Sequence, residues 1–437
     1  MTSPPFRPSL EFADKEAHIA GLLAQGKREA CLQLIVAETN LLCTDPAYNG
    51  RALYLPGLDK VLATIAAQID ANAAPCPKPA TPWDVVVVAT QMESQGGHSR
   101  VIEDICQAVP NPLLILTDAY DSYADGRLDL AQFYERVPQA LVVVIPRGMF
   151  INKAQELHQV CRSLDARNVL VLTHHSDPVA FAGIASVQTS PAMRKFLVHH
   201  ADHNPALGMT LASFVHVDCT EYLRGVCSAE LGRAAHLLPL TAPDLGPRPE
   251  RAWPQKICST VTAGSASKFR REGEFAYVKT LTRILTVIEG RHHHIGTLPG
   301  DWVSDIRAGL QSRGIDPGRF VYLGSVPSLW QALKSVDADF YVASAPVAGG
   351  RAAIEAQGCG FPVAYFKHPD QPHLFQIDEV YASRELAWSG LDDLQQCLAM
   401  DGARLRACAE AARRHYLKHH SPDAFRTALQ GLLDAAA

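Results

Sequence analysis

The 437-residue sequence lacks a charged-then-apolar leader near its start, and no apolar run in it approaches the roughly 20 residues that span a bilayer. We therefore expect a cytoplasmic protein, with peripheral association at the inner face of a membrane as the furthest lipid contact. It also lacks any Cys-x-x-Cys pair: its 11 cysteines are odd in number and scattered, which argues for reduced thiols over a disulfide framework. Cys31, Cys106, Cys397 and Cys408 fall in helical-looking segments and read as small core residues. A surplus of either charge is missing too, since the formal net charge is -5 with 19% charged residues. That excludes a general nucleic-acid or headgroup binder. What is present is ordinary globular composition, 47% hydrophobic, in a chain too long for one core, so two or three domains are expected.

Apolar residues recur at helical spacing through residues 12–74, as in Ile19, Leu22 and Leu23 or Leu58, Val61, Leu62 and Ile65, with no convincing strand. We assign 1–78 as a helical N-terminal region, which either buttresses the first sheet, docks a partner or acceptor, or forms an oligomer. Prolines at 75, 77, 79 and 82 then prevent the helix from continuing. Short β-branched runs at 84–89, 113–116, 140–145 and 168–172 follow, separated by helix-length segments, as a parallel sheet buried on both faces requires. A second proline-rich stretch at 243–254 interrupts the chain, after which the alternation restarts at 256–261, 292–295, 320–323, 339–342 and 362–366. The expected fold is α/β: a helical segment, then two Rossmann-like domains at 83–245 and 255–415 facing a cleft, with a C-terminal helix at 416–437 packing back on the first half. In open α/β sheets ligands sit beyond the carboxyl ends of the strands, so the loops there are the candidates.

The stretch 348–364, AGGRAAIEAQGCGFPVA, opens a helix on Gly349 and Gly350. A helix N-terminus offers unpaired N–H groups and roughly half a positive charge, and glycine lets a phosphate approach the backbone. Glu355 stands four residues after Arg351 on the same helix face, where its carboxylate can accept hydrogen bonds from ribose hydroxyls. The alternative is an ordinary crossover whose glycines serve packing. The loop at 262–268, TAGSASK, pairs small residues, Ser265 among them, with Lys268 as a point charge for phosphates. In the first half, 91–100 (QMESQGGHSR) sets Gly96 and Gly97 before a helix, admitting a diphosphate or sugar, with His98 placed for general-base work. Alternatively His98-Ser99 only caps that helix. His174, His175 and Asp177, and His199, His200, Asp202 and His203, follow two further strand runs. His199 and His200 are adjacent and point to opposite faces, so they cannot act as a joint zinc ligand pair; acid–base or sugar contacts by His200 and Asp202 are the preferred reading. No residue is assigned to a metal. His294, in a strand that ends at a glycine, is expected to approach the cleft.

The order of these elements, with RFVYLGSVPSLWQAL at 319–333, DADFYVAS at 337–344 and the run from Gly349 to Pro362, resembles the GT-B glycosyltransferases over about residues 83–415. The resemblance implies a sugar moved from a nucleotide-diphosphate donor, UDP- or GDP-linked, to a saccharide, lipid-linked or protein acceptor, with no other cofactor. It places Lys268 on the diphosphate, Gly349 and Gly350 on the phosphates, Glu355 on the ribose and the loop at Val326-Pro327 against the base. Many retaining members of glycosyltransferase family 4 carry two glutamates separated by seven residues, and the first of these positions is Val347 here. An inverting displacement with His98 or His200/Asp202 as base is therefore expected. Members of the fold commonly need no donor metal, because helix N-termini and a basic side chain stabilise the leaving charge; Asp337-Ala-Asp339 precedes its strand and sits at the wrong end for one. A sugar-nucleotide epimerase and a non-catalytic nucleotide-sugar scaffold are the alternatives. Arg404, Arg406, Arg413 and Arg414 would form a mild basic patch if the C-terminal helices met anionic lipid.

Overall fold

The computed structural model describes residues 10–44, 53–76, 83–93, 96–200, 204–250, 252–368 and 378–435. The chain divides into two compact units, one of residues 1–238 with 426–437 and one of residues 239–425.

The first unit begins with helices α1 (Leu10–Ala24), α2 (Arg28–Thr44) and α3 (Pro56–Ala71), the last opened by a proline at its first position. The sheet region then runs β1 (Trp83–Ala89), α4 (Gly97–Ala108), β2 (Leu113–Leu116), α5 (Ala131–Arg136), β3 (Leu141–Val144), α6 (Phe150–Ser163) and β4 (Ala166–Leu172). It continues through α7 (Pro178–Ile184), β5 (Arg194–His199), β6 (Val215–Asp218), α8 (Glu221–Leu231) and β7 (Ala235–Leu237). All seven strands pair in parallel in the order β3-β2-β1-β4-β5-β6-β7. The direction of winding reverses between β1 and β4, and residues 85–89 of β1 are buried on both faces as the β-branched run requires.

The N-terminal helices are not a detached module. Leu58, Leu62 and Ile65 of α3 share one core with Val179, Phe181 and Ile184 of α7, and the Glu29 carboxylate of α2 accepts the N–H groups of Phe150 and Ile151 that open α6, at 3.3 and 2.9 Å. Asp59, fully buried on α3, accepts from the N–H of Gly208 at 2.6 Å and from the N–H and hydroxyl of Thr210 at 2.9 and 2.7 Å. Asp59→Ala would strand the buried N–H of Gly208 and the partly buried N–H of Thr210, and we expect it to lower unfolding free energy by about 3 kcal/mol in denaturant titrations. A loss within error of zero would show that those donors find other partners.

The second unit holds β8 (Thr260–Ala263), α9 (Tyr277–Val287), β9 (His292–Ile295), α10 (Gly300–Gln311), β10 (Phe320–Gly324), α11 (Leu329–Ser335) and β11 (Phe340–Val342). It ends with α12 (Gly350–Gly358), β12 (Val363–Phe366), β13 (Ala387–Trp388), α13 (Leu391–Leu398) and α14 (Gly402–His419), before α15 (Pro422–Ala435) closes the chain. Its sheet is again parallel, in the order β10-β9-β8-β11-β12-β13, with the reversal between β8 and β11.

Three expectations differ in detail. The strand expected to start at residue 256 starts at Thr260, because the buried Asp339 carboxylate takes the N–H groups of Cys258 and Ser259 at 2.8 and 2.9 Å in place of a ladder. The division between units falls at 238/239, ahead of the proline stretch. Helix α14 runs past residue 415 and stays in the second unit, held by the Arg413 fork on Asp244 at 3.0 and 2.8 Å and by Tyr416 packed edge-on against Trp330. Arg413 is thereby withdrawn from the suggested basic patch, and Arg406 pairs with Glu410 at 2.9 Å. No helix among the described residues is long and apolar enough to cross a membrane.

Candidate functional site

Each unit concentrates its candidate residues where its own sheet reverses, which is where open α/β sheets take ligands.

In the first unit the loop after β1 ends at Gly96, whose φ of 130° suits only glycine, and leads into α4 with His98 as its second residue. Ser99 does not cap α4: its hydroxyl accepts the N–H of Glu93 at 2.7 Å and draws the loop back over the helix start. His98 Nε2 lies 2.9 Å from the carbonyl of Leu172, the last residue of β4. A carbonyl only accepts, so Nε2 carries the proton and Nδ1 holds the lone pair; Nδ1 is buried and has no hydrogen-bond partner. Burial, with His174 nearby, pushes the His98 pKa down to about 3, so the imidazole is neutral at pH 7.

The His98 ring stacks on His200 at 4.3 Å between centroids and meets His174 at 4.9 Å; His175 stacks on the far side of His200 at 5.3 Å. Burial and the mutual repulsion of these rings hold His200 well below the usual range. The loop bearing His174 is fixed by Asp177, whose buried carboxylate caps α7 through the N–H groups of Val179 and Ala180. The same carboxylate receives the hydroxyls of Thr90 and Thr117 at 2.7 and 2.6 Å, from the ends of β1 and β2. His199 points away from this cluster, toward His216 and Asp218 on β6. Asp202 and His203 lie outside the described residues.

In the second unit the loop after β8 closes in a short 3-10 turn (Ala266–Lys268). Lys268 Nζ donates to the Ala348 carbonyl at 3.3 Å, and the Lys268 carbonyl accepts the Val347 N–H at 3.2 Å. The lysine is thus tied to the segment that enters α12, with Gly349 as cap and Gly350 as first helical residue. A Cβ at Gly349 would sit 3.3 Å from the Ser344 hydroxyl, so glycine there also serves packing. Arg351 and Glu355 face each other on α12 at 3.9 Å, each mostly covered. Ser265 is exposed at the loop tip, and Val326 packs partly buried before α11.

Gly296, with φ of 122°, was not singled out by sequence. A Cβ there would meet the Gly264 carbonyl oxygen at 2.2 Å, so glycine lets the loops after β8 and β9 touch. His294 and His292 both bond to the Tyr277 hydroxyl, at 2.8 and 3.2 Å, and the His294 ring also meets the backbone of Gly264 at the start of the loop after β8. Asp177 carried a readable signal, the Asp-Pro pair of a helix start. The threonines that converge on it did not.

The buried histidines fix the sign of acid sensitivity. His294 and His420 are each pushed down to about 4 by burial, and among the described residues nine histidines sit below their ordinary value, against three raised carboxylates, Glu16, Asp59 and Asp177. A depressed histidine contributes full stability above pH 6.5 and loses it as the pH falls toward its folded value. A raised carboxylate, Asp59 at about 6, does the reverse between about 4 and 6. We expect the melting temperature to fall steadily from pH 7 to pH 4.5; a flat or rising profile would contradict these burials.

No protein-family model matches the chain, and no curated protein matches it. Solved structures do. A mutant of the O-GlcNAc transferase of Thermobaculum terrenum aligns over 97% of this chain and 85% of its own at 17% identity, with a TM-score of 0.56. A glycosyltransferase from Rickettsia africae aligns over 80% of this chain and 98% of its own at 10% identity, with a TM-score of 0.60. The Anabaena protein Alr3699/HepE, solved with UDP and glucose, aligns over 80% of this chain and 99% of its own at 13% identity, with a TM-score of 0.54. The chain has the GT-B fold. In this GT-B chain the two Rossmann-like sheets account for the repeated strand order, and the helices α1 to α3 are built into the core of the first unit.

Proposed function

We propose that the chain is a glycosyltransferase that moves a sugar from a nucleotide-diphosphate donor to a saccharide, lipid-linked or protein acceptor, with inversion and without a metal at the donor. The observation that carries this reading is the convergence of Lys268 with the N-terminus of α12 at the reversal point of the second sheet. One ammonium and one set of free helix N–H groups are what a departing diphosphate needs. The Anabaena neighbour with UDP and glucose supports a uridine donor.

In this reading Lys268, Ser265 and the N–H groups at Gly349 and Gly350 receive the diphosphate, Arg351 and Glu355 the ribose, and Val326 the base. Gly96 and Gly97 leave room at the start of α4. His98 Nδ1 takes the proton of the acceptor hydroxyl while that oxygen bonds the anomeric carbon; the carbon–oxygen bond to phosphate breaks, and its electron pair leaves on the diphosphate. His200, stacked on His98, is the second candidate for the acceptor. Asp202, outside the described residues, is retained as a candidate acceptor contact.

The test is turnover with UDP-glucose, UDP-N-acetylglucosamine, UDP-galactose and GDP-mannose, with and without mixed saccharide, lipid and peptide acceptors. Acceptor-dependent diphosphate release, with an anomerically inverted product by NMR, supports the proposal. A donor epimer formed without acceptor would replace it with an epimerase, and binding without turnover would replace it with a scaffold.

A further inference from the structure

We propose that His199, His216, Asp218 and Cys227 form a closed site for one zinc-class divalent ion inside the first unit. The site lies on the face of β5 opposite to His200. Registers fix three of the ligands: His199 pairs with Asp218 and Leu197 with His216 across β5 and β6, so His216, Asp218 and His199 share one face of the sheet. Cys227 comes from α8, which is capped by Thr220 immediately after β6.

One ligand atom from each of the four residues lies within 4.8 Å of all the others. The three β-strand side chains are fully buried, and Cys227 is 1% exposed. Asp218 Oδ1 is 3.3 Å from His199 Nδ1 and 3.1 Å from His216 Nε2. Two ligands about 2.0 Å from a tetrahedral ion stand roughly 3.3 Å apart, so the spacing fits a shared ion as well as a hydrogen bond.

Two further observations favour the ion. Asp218 Oδ2 is buried without a hydrogen-bond partner among the described residues, and the Cys227 thiol faces the same carboxylate. His199 Nε2 lies 3.2 Å from the Asn204 carbonyl and must donate to it. An ion between Nδ1 and the Asp218 carboxylate is a contact that this tautomer allows. With one, Nδ1 offers its lone pair, and the Asn204 contact is the orienting bond that metal-bound histidines usually make. Charge closes as well. Cys227 loses its proton to solvent on binding, and one thiolate with one carboxylate neutralises a dication, which a buried site requires. Two imidazoles and a thiolate select zinc over magnesium or calcium, which prefer oxygen. With four protein ligands and no open position, the ion is structural. It ties α8 to the ends of β5 and β6, one residue from His200.

The test uses the full chain purified without a histidine tag. Elemental analysis should find about one zinc per chain. Cobalt(II) added to chelator-treated protein should give a thiolate-to-metal charge-transfer band. Cys227→Ser should abolish that band, and Cys227→Ser and His216→Gln should each weaken zinc retention at least 10-fold. The wild-type cobalt spectrum requires no variant and stands if a variant fails to fold. Well under one ion per chain together with no cobalt band would overturn the proposal, as would a full zinc complement kept by both variants.

Discussion

Lys268→Ala is expected to lower turnover of a nucleotide-sugar donor by about 100- to 1,000-fold and to abolish stabilisation by the free diphosphate, the scale of losing one preorganised group at a developing anion. The fold should survive the change. The lysine's backbone carbonyl still receives the Val347 N–H, and the side chain is half-buried, with a 3.3 Å contact to the Ala348 carbonyl. We therefore expect a melting temperature close to that of the parent with kcat lost. Lys268→Arg should recover part of the activity, because it keeps the charge and changes its shape. If Lys268→Ala turns over donor normally, the diphosphate does not sit at the entry to α12.

His98 carries the second large effect. The hydrogen bond from Nε2 to Leu172 fixes the tautomer and leaves Nδ1 as an acceptor without a partner. Glutamine can place an N–H donor where Nε2 stands but cannot take up a proton. His98→Gln and His98→Ala should therefore both reduce kcat by about 100- to 10,000-fold, the usual contribution of a positioned base. A merely structural histidine would give a different result, with glutamine near parent activity and alanine unstable. Chemical denaturation of both variants separates the two outcomes.

The strands, their alternation with helices and the doubling into two sheets were legible because β-branched runs and helical spacing are local signals. The loops that hold the candidate residues were legible for the same reason, since those with Gly96-Gly97-His98 and Lys268 each come after a strand run. Strand alternation also told His199 from His200 correctly. What the sequence hid was long-range pairing. Asp59 meets partners 149 and 151 residues away, and Asp177 gathers hydroxyls from 60 and 87 residues before it, distances to which no periodicity responds. That hidden pairing is why the N-terminal helices read as a separate region although they share the first core. It also explains why the bond between His294 and Tyr277, 17 residues apart, was not expected.

The most direct test of the donor site is a titration of the full chain with UDP and GDP in the presence of a chelator, followed by melting temperature and calorimetry. The account predicts saturable stabilisation by one of them, about 2.7 kcal/mol at 100-fold excess over Kd, that survives chelation and vanishes in Lys268→Ala. No stabilisation by either nucleotide, or equal stabilisation of Lys268→Ala, would contradict it.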